Sequence, residues 1–237
     1  MIQSLGLIIP CYNEEQVLPL LFERLLTFKT QIQQELKIIF IDDGSSDKTW
    51  EMLENFCALH SENTAAIKLS RNFGHQTAVS AGLKYIQADV IGVLDADLQD
   101  PPEIIEKFYD LWLEGNLIVY GIRISRKESW IMNSIRRLGY QLINLLSEHA
   151  IPPNAGDFRL LDRKVIEVLK STKTPNPYLR GIVSRFGFKQ IGVEYARNER
   201  TLGESKFHLT QVIRLGLNAL SNHSNAPIRI GTFIGLT

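Results

Sequence analysis

The sequence carries only two cysteines, Cys11 and Cys57, with no CxxC spacing. They make no disulfide framework and no cysteine metal site, and a reducing compartment is the expectation. Charge of neither sign is in excess, with 26 basic against 26 acidic residues. A nucleic-acid partner, which usually asks for a basic surplus, is therefore not expected. No run reaches the roughly 18 apolar residues that a membrane span needs. The opening "IQSLGLIIPCYNE" lacks a basic region followed by a small-residue cleavage site, so no signal peptide is expected. No GxGxxG follows the first apolar run, which disfavours a dinucleotide cofactor. The histidines are scattered and offer no zinc cluster. Repeats, low-complexity tracts and an internal linker are also missing, which leaves one large domain, with or without a small appendage.

What is present is ordinary in bulk and unusual in place. Hydrophobic residues make up 44% and charged residues 22% of the chain, enough for a full core. Continuous apolar runs at Leu5–Ile9, Lys37–Ile41, Ala66–Leu69, Val90–Leu94 and Leu117–Tyr120 predict strands covered on both faces. Amphipathic stretches at Glu15–Gln34, Asp47–His60, His75–Ile86 and Pro102–Glu114 predict helices between them, with Asp47 as an N-cap and Pro102 in a first turn. Further on, a helix over 128–147, a short strand near Arg159–Leu161, a helix near Arg163–Lys170, a strand near Gln190–Ala196 and a last amphipathic helix in "HLTQVIRLGLNALSN" are expected. The alternation predicts an α/β fold with a mostly parallel, Rossmann-like sheet flanked by helices.

Each predicted strand runs into polar chemistry: "PCYNEE", "DDGSSD", "SRNFGH", "DADLQD" and "GIRISR". In a parallel sheet these segments converge on one edge, where ligands bind. Asp95 and Asp97 are two residues apart, so on extended backbone they point the same way, with Cα atoms roughly 6.6 Å apart. Two such carboxylates suit a hard cation, Mg²⁺ or Mn²⁺, bound together with phosphate oxygens. Asp100, next to Pro101 and Pro102, reads instead as the start of the following helix. Arg71, Arg123, Arg126, Arg197, Arg200 and Lys206 fall in loops or at element ends and suit an anionic ligand. Of these, Arg126 and Arg197 read most readily as solvated surface. "RTLGESK" adds Ser205 and Lys206 beside the flexible Gly203.

Together "IIPCYNEE", "IDDGSSDKT", "LSRNFGHQTAVSAGL", "DADLQDPPE", "GDFRLLDR" and "RTLGESK" resemble the inverting glycosyltransferases of the GT-A fold. Within these the similarity is to the polyprenyl-phosphate glycosyltransferases, relatives of dolichyl-phosphate mannose synthase and of GtrB-type glucosyltransferases. It runs from about Leu5 to the end. The resemblance implies that Pro10, Tyr12, Glu14 and Asp42 hold the nucleoside and that Arg71 lies by the nucleotide. It implies that Asp95 and Asp97 carry the divalent cation, with Gln99 as a third contributor. Arg200, Ser205 and Lys206 would grip phosphates of donor or acceptor; Arg123 and Arg126, from the basic residues noted above, are further phosphate-binding candidates. Asp157 takes the position of an acid near the reacting centre, as a base candidate.

The implied reaction moves a hexose, foremost glucose from UDP-glucose, onto a polyprenyl phosphate such as undecaprenyl phosphate, with inversion. The expected partners are the nucleotide sugar, the lipid acceptor and the membrane surface, at its cytoplasmic face. The enzyme would sit there peripherally as given, or anchored in a longer form. A catalytic domain over 1–207 and an amphipathic membrane-proximal segment over 208–237 follow from the same resemblance. The tail "APIRIGTFIGLT" turns apolar near where longer members begin transmembrane helices. Leu209, Val212, Ile213, Leu217 and Leu220 form a stripe suited either to the membrane interface or to packing on the core. The 128–147 and C-terminal helices leave room for a homo-oligomer. Two other readings stay open: transfer to a saccharide hydroxyl, against which the absence of QxxRW speaks, and an inactive nucleotide-sugar-binding module. A DxDxT-type phosphohydrolase is disfavoured, because its acid pair belongs after the first strand.

Overall fold

The computed structural model describes residues 3–124, 155–171, 183 and 186–198. Within them the chain forms strands β1 (Ser4–Cys11), β2 (Glu35–Asp42), β3 (Thr64–Lys68), β4 (Val90–Val93), β5 (Ile118–Ile124), β6 (Ala155–Asp162) and β7 (Gln190–Ala196). The helices are α1 (Leu18–Gln31), α2 (Thr49–Leu59), α3 (His75–Tyr85), α4 (Ile104–Leu113) and α5 (Arg163–Ser171). The expected 128–147 helix, the C-terminal helix and the 207/208 domain boundary lie outside the described residues.

One seven-stranded sheet takes the order β3-β2-β1-β4-β6-β5-β7. β1 pairs in parallel with β2 and β4, β2 with β3, and β5 with β7. Only β6 runs the other way, antiparallel to both β4 and β5. The carboxyl ends of the six parallel strands therefore share one edge with the amino end of β6. That single reversal brings Asp157, at the start of β6, to the edge where Asp42 ends β2 and Asp95 follows β4.

The continuous apolar runs are explained by burial on both faces. Leu5, Leu7 and Ile9 of β1, with Phe40, Phe158 and Leu160, face α1, α2 and α4. Ile8, Ile41, Ile91, Val93 and Leu161 face α3 and α5. Each fully buried Leu, Ile or Phe side chain contributes roughly 1.5–3 kcal/mol, so the framework below the site is stiff. An aromatic group reinforces it: Phe22 stacks on Phe56 at 4.1 Å, and Phe40 meets both edge-on.

Three helix starts differ from expectation, the first being α1, which begins at Leu18 rather than Glu15. α2 begins at Thr49 after Lys48, yet Asp47 still acts as a cap, because its carboxylate accepts the Thr49 N–H at 3.0 Å. α4 begins at Ile104, so Pro102 belongs to the preceding turn, where its carbonyl accepts the Ile105 N–H at 2.9 Å. Among the described residues no helix is long and apolar enough to cross a membrane.

Candidate active site

Three loops at the carboxyl edge are laced together by short polar side chains. After β1, Asn13 takes a left-handed backbone, φ 52°, which Asn tolerates better than most residues. Its N–H donates to Ser45 Oγ at 2.9 Å, and its side-chain oxygen accepts the Ser46 N–H at 2.8 Å. The Glu14 N–H donates to Thr49 Oγ1 at 2.7 Å. After β2, the buried Asp43 carboxylate accepts the backbone N–H groups of Phe73 and Gly74, both at 2.8 Å, which pins the "SRNFG" loop. Burial pushes the Asp43 carboxyl up, against the lowering effect of those two bonds.

Gly44 lets two of these loops touch. Its φ is +71°, and a Cβ there would lie 2.4 Å from the backbone carbon of Arg71. Gly44→Ala is expected to lower stability by about 1–3 kcal/mol, visible as a drop in Tm; an unchanged Tm would mean that the loops part freely.

Within this cradle Asp42 is fully buried. One carboxylate oxygen accepts the Ser45 N–H at 3.1 Å; the other has no hydrogen-bond partner. Such an orphaned acceptor is costly unless a donor arrives. Pro10 is buried at the end of β1, Tyr12 and Glu14 are half-buried beside it, and Arg71 is exposed, with its guanidinium 4.3 Å from the Phe73 ring centroid.

The second half of the edge is a cluster of carboxylates and cations. His75, the first residue of α3, stands between two of the acids. Its Nε2 is 2.9 Å from Asp95 Oδ1, and its Nδ1 is 3.7 Å from Asp157 Oδ2. Burial works to raise the Asp95 carboxyl, but the hydrogen bond and charge of His75 outweigh it and hold it below the usual range. Asp97 is pushed up by burial and then by the negative charge of Asp95. Arg123, near the end of β5, approaches Asp95 at 3.7 Å, and Arg197, just after β7, approaches Asp97 at 3.7 Å.

Residues 7–170 match the glycosyl transferase family 2. The chain belongs to that family. The transferase is 39% identical over 232 residues to the uncharacterized glycosyltransferase YkcC of Bacillus subtilis, covering 98% of this chain and 72% of that one. It is 35% identical over 234 residues to the prophage bactoprenol glucosyl transferase homolog of Escherichia coli K12, covering 98% and 76%. Among solved structures it resembles glucosyl-3-phosphoglycerate synthase from Mycobacterium tuberculosis, in complex with Mn²⁺, UDP and glucosyl-3-phosphoglycerate. There the TM-score is 0.63 at 13% identity, over 92% of this chain and 77% of that one. That likeness is one of fold, and the fold is GT-A.

The transferase thus brings Pro10, Tyr12, Glu14 and Asp42 to one side of the edge, and Asp95, Asp97, Arg123 and Asp157 to the other. Gln99 follows Asp97 through a turn in which its N–H donates to Asp97 Oδ1 at 3.2 Å. Arg126, Arg200, Ser205 and Lys206 lie outside the described residues. Two readings of the sequence need correcting. Asp100 is not a helix starter: it is wholly buried and accepts hydrogen bonds from Tyr195, Arg123 and Arg197. Arg197 is not merely surface, since it bonds Asp100 at 3.2 Å and faces Asp97. His75 and Asp43 were not singled out, although both sit inside the strand-end motifs, and that position was their signal.

Proposed function

We propose that this glycosyltransferase moves a hexose, foremost glucose from UDP-glucose, onto the phosphate of a polyprenyl phosphate at the cytoplasmic membrane face. The observation that carries the reading is His75 with Asp95 on one ring nitrogen and Asp157 on the other, at 2.9 and 3.7 Å. One side chain thus contacts both the acid assigned to the donor side and the acid assigned to the acceptor side, which supports reading the two as parts of one site. The names of the relatives support the acceptor and the sugar: bactoprenol glucosyl transferases of Shigella phages SfX and SfV are each 34% identical over 234 residues.

The orphaned Asp42 oxygen suits a ring N–H of the base, with Tyr12, Glu14 and Arg71 enclosing the nucleoside. Asp95 and Asp97 fit a hard divalent cation: both are oxygen donors, and burial and then the charge of Asp95 push Asp97 up, the second of which such a cation relieves. Among the described residues no three or more metal-ligating side chains surround one point. A cation held there would complete its shell from the diphosphate and water. When bound, Mg²⁺ or Mn²⁺ would supply charge stabilisation for the departing nucleoside diphosphate.

Arg123 and Arg197 contribute positive charge to the same phosphates. An oxygen of the acceptor phosphate forms a bond to the anomeric carbon as the bond from that carbon to the diphosphate breaks on the opposite face. The leaving nucleoside diphosphate takes the electron pair, and the configuration inverts. Asp157 orients the acceptor and accepts its remaining proton when it carries one. Because a phosphate monoester has a second pKa near about 6, most of the acceptor is already dianionic at neutral pH.

The test is direct. With Mn²⁺ or Mg²⁺, undecaprenyl phosphate in detergent and a panel of nucleotide sugars, a lipid-linked hexose should appear by mass spectrometry. Transfer to saccharide hydroxyls, with none to the lipid phosphate, would replace this reading with its alternative.

A further inference from the structure

Asp100 lies below the acids proposed to bind the cation, and one carboxylate there gathers three donors from distant parts of the chain. Oδ1 accepts the Tyr195 hydroxyl at 2.5 Å and Arg197 Nε at 3.2 Å, while Oδ2 accepts the Arg123 guanidinium at 3.0 Å. The Asp100 side chain is 0% exposed, so it holds these groups without competition from water. Each arginine also reaches toward one acid of the DxD pair but stops at 3.7 Å, beyond hydrogen-bond range. Both cations are therefore bonded below and only near-neighbours above.

The backbone is bent to make this possible. Leu98, between Asp97 and Asp100, has φ +58°, a left-handed conformation that is uncommon for a bulky residue. It is held there by burial at 2% exposure, by the Gln99 N–H on Asp97 Oδ1 and by the Asn198 N–H on the Gln99 carbonyl at 2.9 Å. The turn sends Asp100 into the interior while Asp97 stays at the sheet edge. Gly156 completes the arrangement, because a Cβ there would sit 3.1 Å from the Arg123 guanidinium.

We propose that Asp100, with Tyr195, is a positioning residue that holds Arg123 and Arg197 off Asp95 and Asp97, keeping those carboxylates available to the divalent cation. The proposal rests on the metal reading above. Among the described residues, the other carboxylates that the two guanidinium groups approach are Asp95 and Asp97, at 3.7 Å each. Without the Asp100 charge, the arginines would close on them as ion pairs and compete with the metal. With Asp100 in place, the same arginines would still contribute positive charge to the phosphates that arrive with it.

The experiment measures Mn²⁺ affinity rather than turnover, by electron paramagnetic resonance of free Mn²⁺ in the presence of UDP, on the full chain. Asp100→Asn is expected to weaken Mn²⁺ binding about tenfold, the lower end of what outer partners of metal ligands contribute. Tyr195→Phe should act in the same direction and guards against a poorly folding Asp100 variant. The double variant Asp100→Asn/Arg197→Gln removes one stranded cation and should recover part of the affinity, which a purely structural role would not produce. Folded Asp100→Asn and Tyr195→Phe proteins with wild-type Mn²⁺ affinity would overturn this proposal while leaving the metal reading intact. Absence of Mn²⁺ binding by the wild-type protein would overturn the metal reading, and this proposal with it.

Discussion

Asp97→Asn should abolish sugar transfer, lowering kcat/KM by about 10³-fold or more, while the protein stays folded and no less stable. The first half follows from the proposed cation: losing one of two carboxylate ligands removes charge stabilisation worth several kcal/mol in a dry site. The second half follows from the sign of the Asp97 shift. Burial and the Asp95 charge push its carboxyl up, so its ionised form is disfavoured in the folded protein. Stability is then highest below the ordinary carboxylate pKa and declines as pH rises through the unfolded-state value toward the folded one. An amide of the same shape carries no such penalty at neutral pH. The pair of measurements is initial rate and Tm, each with and without Mn²⁺. Mn²⁺ should raise the wild-type Tm through its affinity for the folded state and leave that of the variant unchanged. Retained turnover in the variant would remove Asp97 from the metal site.

Asp157→Asn should produce the second largest loss, about 10²-fold, the low end of general acid–base contributions. The moderate size is itself informative, because a dianionic phosphate needs little help to attack. The loss should therefore depend on pH in a definite direction. Above about pH 7 most of the acceptor has already lost its second proton, and the deficit reflects orientation alone. As pH falls through the acceptor's second pKa near about 6, the variant should fall further behind the wild type. A deficit that stays constant from pH 8 down to pH 6 would assign Asp157 to orientation only. A deficit that grows with rising pH would contradict the role altogether.

The strands were legible because burial on both faces leaves an unbroken apolar run, as in "LGLIIP" and "KIIFI". Their polar ends were legible because a buried strand has no structural use for "DAD" or "DDGS". The direction of β6 was not: "FRLL" carries the same pattern whichever way it runs, and its orientation depends on pairing with β4 and β5. Asp100 was misread for a similar reason. Beside two prolines an aspartate looks like local turn chemistry, whereas its partner Tyr195 lies 95 residues away. Arg197 looked like surface because nothing near it in sequence shows that Asp100 is buried beneath it. His75 belongs to the "SRNFGH" motif, but only its contacts with Asp95 and Asp157, far away in sequence, show which acids it meets. Sequence patterns report the environment of a residue along its own element; these residues draw their meaning from elements that meet only in space.

The reversed strand has a consequence for how the protein comes into being. β4 and β5 are not neighbours; β6 lies between them and pairs with both. A nascent chain that has emerged only through β5 already contains β1, β2, β3 and the Asp42 loops, whose contacts are comparatively local. It also has two strand edges that cannot yet be joined. The acid proposed to act on the acceptor arrives with the very strand that closes this gap, through pairings spanning many residues, the kind that form slowly. The loops proposed to hold the nucleotide can thus form before the proposed base is in place, and an unfinished sheet exposes its sticky edges.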